Sequence, residues 1–226
     1  QLLGSYGSCL LAYSGGVDSA FLARVAVETL GNRLLAVIAD SPSLPRHELD
    51  EAVQLARQFR IPDRVLQTAE FQNPDYVANP ANRCYFCKRE LFSRLVPLAR
   101  AEGYAVVASG ENASDRADFR PGARAAAEFQ VRAPLREVGL TKAEIRHLSA
   151  ELGLPTHDKP EMPCLSSRVP YGEAVTPEKL RMIEGAENLL RDLGFRDVRV
   201  RHHEPKAGAL ARIEVGSGEL RRLMED

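Results

Sequence analysis

The sequence predicts an α/β protein, a doubly wound parallel sheet joined to a small α+β unit at its C-terminal end. Three observations carry this. Short, near-continuous apolar runs alternate with segments whose apolar residues recur at helical spacing, the order of a sheet covered on both faces. The first run stops at Ser14-Gly15-Gly16, immediately before a helical pattern. The last two runs instead alternate apolar and charged residues with a period of two, as in strands with one solvated face.

Taken in order, Leu10, Leu11 and Ala12 form the first strand, and Phe21, Leu22, Val25 and Ala26 stripe the helix after the turn. Residues 34–39 form a second buried strand, and Leu49, Ala52, Val53 and Ala56 mark the helix between it and Pro62. Val65 and Leu66 suggest a third strand. A helix over residues 84–101 leads past Gly103 to a fourth strand over 105–108. Thr141 and Glu144 fit a capping box, with Ile145, Leu148 and Leu152 on the buried face of a helix that stops at Gly153 and Pro155. From there to Tyr171 prolines are frequent and periodicity is lost, so a boundary is expected near Pro170, dividing 1–169 from 170–226. The second unit opens with Thr176 capping a helix that has Pro177 in its first turn and is striped by Leu180, Ile183, Leu190 and Leu193. Strands over 198–203 and 210–215 follow.

The 226 residues carry 30 Lys+Arg against 31 Asp+Glu, a net charge of -1, with 44% hydrophobic and 27% charged residues. Such a chain should bury roughly 70% of its unfolded surface, enough for a main core and an appendage without disulfides. The balanced charge argues against broad binding to duplex nucleic acid and toward a small partner. No apolar stretch approaches the ~18 residues of a membrane span, and no leader is seen, so a cytoplasmic, non-membrane protein is the expectation. The chain opens at Gln1 without methionine, consistent with a trimmed form of a longer product.

Ser14-Gly15-Gly16-Val17-Asp18-Ser19 lies where a buried strand hands over to a helix, where backbone N–H groups and the helix dipole favour an anion. The glycines let the backbone approach phosphate oxygens, and Ser14 and Ser19 add hydroxyls. It lacks the Lys of a Walker A loop. Asp18 can brace the loop or hold a Mg²⁺ that bridges to phosphates. The bland alternative is a plain strand–helix turn.

At these residues the chain resembles the PP-loop family of ATP pyrophosphatases, whose S-G-G-x-D-S signature follows the first strand of a Rossmann-type, adenine nucleotide α-hydrolase-like fold. The resemblance implies ATP with Mg²⁺, adenylation of a carbonyl-type oxygen and release of pyrophosphate. Ser109-Gly110-Glu111-Asn112, with Asp115 beyond, looks like the family's second loop at the nucleotide, with Glu111 standing where Thr is usual. Asp158-Lys159-Pro160 and the Cys164-Leu165-Ser166-Ser167-Arg168-Val169-Pro170-Tyr171-Gly172 stretch narrow the resemblance to the LarE family, ATP-dependent sulfur transferases of nickel-pincer nucleotide synthesis. It implies a pyridinium dicarboxylate mononucleotide as substrate, converted to thiocarboxylates.

That family supplies sulfur in two ways. One consumes a cysteine at the position of Cys164, which becomes dehydroalanine. The other joins that cysteine to a C-x-x-C pair, here Cys84 and Cys87, to hold a 4Fe-4S cluster that passes on sulfide from an external source. The pair is present, and its i, i+3 spacing puts both thiols on one helix face, so the cluster form is favoured. A structural zinc completed by His157, His202 or His203 is the rival reading of the pair, and Cys9 reads as core. Arg199, Arg201 and Arg212 project from one face of the C-terminal sheet and suit phosphate and carboxylate, while Glu187 and Glu214 could hold a divalent ion; a solvated, salt-bridged face is the alternative. Arg168 is expected to steady the adenylate or the sulfur site, and Lys159 to contact a phosphate. Two further readings are kept: a tRNA-thiolation enzyme, and a nucleotide-binding protein with structural zinc and no turnover. A homo-oligomer is expected, with the second unit's sheet edge as the contact.

Overall fold

The computed structural model describes residues 1–117, 121–205 and 208–225. These form two compact units, one of residues 1–41, 46–70 and 82–162, the other of 42–45, 71–81 and 163–226. No described helix is long and apolar enough to cross a membrane.

In the first unit the strands are β1 (Cys9–Ala12), β2 (Leu34–Asp40), β3 (Asp63–Gln67) and β4 (Val106–Ser109). All pair in parallel, in the order β3-β2-β1-β4. The short α1 (Leu2–Ser5) precedes β1, and α2 (Val17–Leu30) and α3 (Arg46–Gln58) follow β1 and β2. After β3 come α4 (Pro74–Val77), which belongs to the second unit, and α5 (Arg83–Glu102). Past β4 the chain makes α6 (Pro121–Glu128), α7 (Pro134–Glu137) and α8 (Lys142–Glu151). Arg132 adds a parallel bridge to Ala108 beyond β4.

Near-continuous apolar strands belong in a sheet covered on both faces, and here both are covered. Leu10, Leu35 and Val37 pack with Leu91, Phe92, Leu95 and Ala99 of α5 and Ala125 and Ala126 of α6. Alternation turns Leu34, Ala36 and Ile38, all buried, to the other side, and α2 and α3 contact β2. On α3 the buried residues are Glu48, Ala52, Leu55 and Ala56. Leu49 and Val53, expected on that stripe, are only half-buried because the helix turns its 48/52/55/56 face inward. Thr141 and Glu144 form the expected capping box at the start of α8.

The second unit is not cut by one boundary at Pro170, because two earlier segments are tied into it. Ser43, Tyr76 and Ser166 form a closed ring of hydroxyls at 2.5, 2.7 and 2.9 Å. The buried Asn79 amide donates to the carbonyls of Val169, Pro170 and Glu173. Around them Leu165, Val169 and Val175 pack with Leu180 and Ile183 of α9 (Pro177–Asp192), which Thr176 caps as expected. The hairpin β5 (Val198–His203) and β6 (Leu210–Val215) pairs antiparallel with Arg199 opposite Glu214 and Arg201 opposite Arg212. Val198 and Val200 pack with Leu190 and Phe195, and α10 (Leu220–Glu225) contributes Leu223.

Candidate functional site

The first unit's site follows from its strand order. Chain growth runs from β1 outward to β3 on one side and places β4 on the other, so the switch point lies between β1 and β4, where an open α/β sheet leaves a crevice at the strands' carboxyl ends. Residues 13–16 leave β1 at that edge, and Gly110 leaves β4 beside them. Gly15 has φ +72, and a Cβ there would lie 2.7 Å from the Ala52 Cβ. At Gly110 an added Cβ would meet the Ser19 nitrogen at 3.0 Å and its Cα at 3.1 Å. Two glycines therefore let α3 and β4 close onto the loop, the first also through its left-handed backbone.

Gly16 is the N-cap of α2 with no side-chain cap bond, so the first turn of a 14-residue helix offers its N–H groups to an external anion. The hydroxyls of Ser14 and Ser19 lie 3.1 Å apart, and Ser19 also accepts from the Ser14 N–H, bracing the loop from within. Asp18 is committed on both oxygens: Lys142 Nζ lies 2.6 Å from Oδ2 and the buried Asn112 amide donates to Oδ1 at 3.3 Å. Asn112 is held in turn by bonds to Ser114 and Asp115. Glu111, the departure from the usual Thr, pairs with Arg136 at 2.8 Å. Lys142 was not among the expected site residues, yet one signal was available. It is the first helical residue after the Thr141 cap, where a cation opposes the helix dipole and needs a carboxylate partner. Lys159, expected at a phosphate, instead donates to Glu48 and Glu51, both at 2.7 Å. Burial lowers its affinity for a proton, but the two carboxylates outweigh that and leave its pKa raised.

The cysteines divide by environment. Cys9 is buried in β1 as expected, and burial pushes its thiol up to about 12. Cys84 is exposed and Cys87 half-buried, one turn apart at the start of α5 in the first unit, whereas Cys164 is half-buried in the second unit, just before the short helix Leu165–Arg168. All three are outside disulfides, so in kind they suit thiolate ligation. Among the described residues no three His, Cys, Asp or Glu side chains are grouped to hold a metal ion.

In the second unit the expected substrate side chains are largely spoken for. Arg168, expected to steady the adenylate or the sulfur site, is fully buried, with Nε donating to Glu187 at 2.9 Å and Nη1 to the Pro163 carbonyl at 2.6 Å, so its guanidinium is taken up by partners within the protein. Glu187, expected to meet substrate or a divalent ion, is likewise buried and accepts from Arg168, Arg191 and the Val200 N–H. Glu214 bridges Arg201 and Arg212 at 2.7 Å each. Those guanidinium groups, Arg201 first, hold its carboxyl down at about 2 against the smaller opposing effect of burial. The basic face is thus partly neutralised. Arg201 also donates to the Ser167 carbonyl at 3.1 Å, which links the sheet to the Cys164 loop.

An NAD synthase family model matches residues 5–78. The chain is 48% identical over its full length to the protein slr1717 of Synechocystis sp., covering 83% of that protein. It is 35% identical to the pyridinium-3,5-bisthiocarboxylic acid mononucleotide synthase of Lactiplantibacillus plantarum, over 93% of this chain and 75% of that one. The glutamine-hydrolysing GMP synthase of Phenylobacterium zucineum is 29% identical over 82% of this chain and 40% of its own.

Proposed function

The chain belongs to the LarE family, that of the pyridinium-3,5-bisthiocarboxylic acid mononucleotide synthase, and on that premise we propose that it is an ATP pyrophosphatase-type sulfurtransferase acting on a pyridinium dicarboxylate mononucleotide. A substrate carboxylate oxygen attacks the α-phosphorus of ATP, the bond from that phosphorus to its bridging oxygen breaks, and pyrophosphate leaves. The acyl adenylate then carries AMP as a good leaving group. Sulfide adds to its carbonyl carbon and expels AMP, leaving a thiocarboxylate and releasing a proton.

One observation carries the reading: the uncapped first turn of α2, with Gly15 and Gly110 admitting close approach, sits at the switch point of the sheet. A pyrophosphate product stabilised there favours cleavage at the α-phosphorus. Ser14, Gly15, Gly16, Val17, Ser19 and Gly110 are assigned to the nucleotide, and Asp18 to Mg²⁺. Arg199 and Arg201 are assigned to the substrate's charged groups, with Arg212 in support through Glu214. We further assign Cys84, Cys87 and Cys164 as ligands of a 4Fe-4S cluster, which when bound supplies a transferable sulfide. In a second reading Cys164 is the donor. Its thiolate displaces AMP, and loss of its Cα proton with cleavage of its C–S bond leaves thiocarboxylate and dehydroalanine. A Cys164 thiol outside any disulfide and only half-buried is what this alternative also requires. The reading includes a cytoplasmic homo-oligomer.

The test is product analysis with ATP, Mg²⁺ and the mononucleotide. AMP, pyrophosphate and thiocarboxylate are expected, and ADP with phosphate as the nucleotide products would overturn the reading. Iron and acid-labile sulfide in protein prepared without oxygen distinguish the two donors. About four of each per chain, lost in Cys84→Ala, supports the cluster. Their absence, with a 34-Da mass loss at Cys164 after turnover expected of roughly one H₂S, supports the sacrificial route.

A further inference from the structure

Arg168 is the largest fully buried side chain among the described residues, and each of its guanidinium nitrogens has a partner. Its Nη1 donates to the carbonyls of Pro163 (2.6 Å) and Cys164 (3.4 Å) and to Ser167 Oγ (3.0 Å). Nε and Nη2 form a fork onto Glu187 at 2.9 and 3.4 Å. Glu187 passes the constraint on, because its Oε1 also accepts from the Val200 N–H at 3.0 Å. The next residue of β5, Arg201, returns to the loop through the Ser167 carbonyl. On the loop's other side, Ser166 is locked into the hydroxyl ring with Ser43 and Tyr76, and the Leu165 N–H donates to the Ser43 carbonyl. The backbone around Cys164 is thus tied by buried polar groups, while the Cys164 side chain itself stays half-exposed.

We propose that the buried Arg168–Glu187 pair is a positioning device that sets Cys164 and Arg201 relative to each other, so that the sulfur-bearing residue and the guanidinium assigned to the substrate are presented from one rigid loop–strand element. This rests on the proposed roles of Cys164 and Arg201. A buried ion pair gains little stability over an apolar packing of the same shape, so stability alone does not account for it, whereas its bonds to the Cys164 loop and β5 do give it a positioning role. Lysine cannot replace it. It carries the charge but lacks the planar fork that reaches two carbonyls and a carboxylate at once.

The experiment follows two products in the same reaction, pyrophosphate and thiocarboxylate, in wild type, Arg168→Lys, Glu187→Gln and Cys164→Ala. Arg168→Lys is expected to keep the rate of pyrophosphate release and the KM for ATP within about twofold, while thiocarboxylate formed per pyrophosphate falls about 10²-fold, the effect of displacing a reacting group by ~1 Å. Equal loss of both products would mark a general structural role and overturn the proposal, as would a wild-type product ratio. If Arg168→Lys does not fold, Glu187→Gln, which keeps shape and removes one charge, is judged by the same ratio. Failure of the functional reading looks different: wild type then makes no thiocarboxylate, or Cys164→Ala makes as much as wild type.

Discussion

Replacing Gly15 by alanine separates two reasons for a glycine in the nucleotide loop. Gly15 has φ +72, and its added Cβ would lie 2.7 Å from the Ala52 Cβ and 3.1 Å from the Ala52 Cα. Gly7 has nearly the same backbone, φ +74, but an added Cβ there meets nothing within 4 Å. Gly7→Ala therefore carries only the left-handed strain, ~1–2 kcal/mol. Gly15→Ala carries that strain plus the displacement of α3, a further ~1–3 kcal/mol for overpacking. Gly110→Ala isolates the other half, since its contacts to Ser19 backbone at 3.0 and 3.1 Å come without a positive φ. Urea denaturation of the three variants measures the differences, and in thermal melts the excess for Gly15→Ala over Gly7→Ala should be about 2–12 °C for a chain of this size. Both loop variants should also weaken ATP binding, because α3 must shift to admit the methyl group at Gly15, and α2 and β4 must part to admit it at Gly110. Equal destabilisation by Gly7→Ala and Gly15→Ala would refute the close-approach argument.

Asp18→Asn removes a half-exposed ion pair worth ~0–1 kcal/mol, so the melting temperature should barely move. Pyrophosphate release should nonetheless fall about 10²–10³-fold, as when one preorganised electrostatic group is lost; a variant that loses stability but retains rate would contradict this. Glu214 titrates at about 2 in the folded chain against an ordinary 4.5, so its stabilisation of the β5–β6 hairpin is complete above pH 4.5 and lost as pH falls toward 2. Glu214→Gln should remove that part of the acid transition followed by amide exchange in 198–203, and an unchanged profile would count against it. With its thiol at about 12 inside β1, Cys9 should resist iodoacetamide at pH 8 while Cys84 is alkylated, and mass spectrometry showing comparable labelling would refute the burial argument.

Local patterns carried much of this molecule into view before any coordinates. Continuous apolar runs, period-two alternation and helical spacings located the six strands and the long helices seen among the described residues, since a strand buried on both faces leaves a run and an element buried on one face leaves its period in the sequence. Thr141, Thr176 and the loop at 14–19 were legible because caps and tight turns need particular residue types a fixed few positions apart. The same locality explains the misses. Residues 42–45 and 71–81 have no local mark of joining the second unit, because Ser43 and Asn79 find partners about a hundred residues away through side-chain hydrogen bonds that leave no period in the sequence.

Charge is where sequence and tertiary structure part most clearly. Composition and motif determined that this chain has an α/β core, a strand–helix loop of PP-loop type, a C-x-x-C pair with a further cysteine in a later loop, and arginines alternating along a C-terminal strand. Which of its charged groups remain available was decided only on folding. Lys142 meets Asp18 from 124 residues away, Arg168 and Glu187 disappear together into the interior, and Glu214 draws Arg201 and Arg212 to itself. A side chain's type is encoded at its own position, but the energy of burying or freeing a charge depends on the partner that long-range packing supplies.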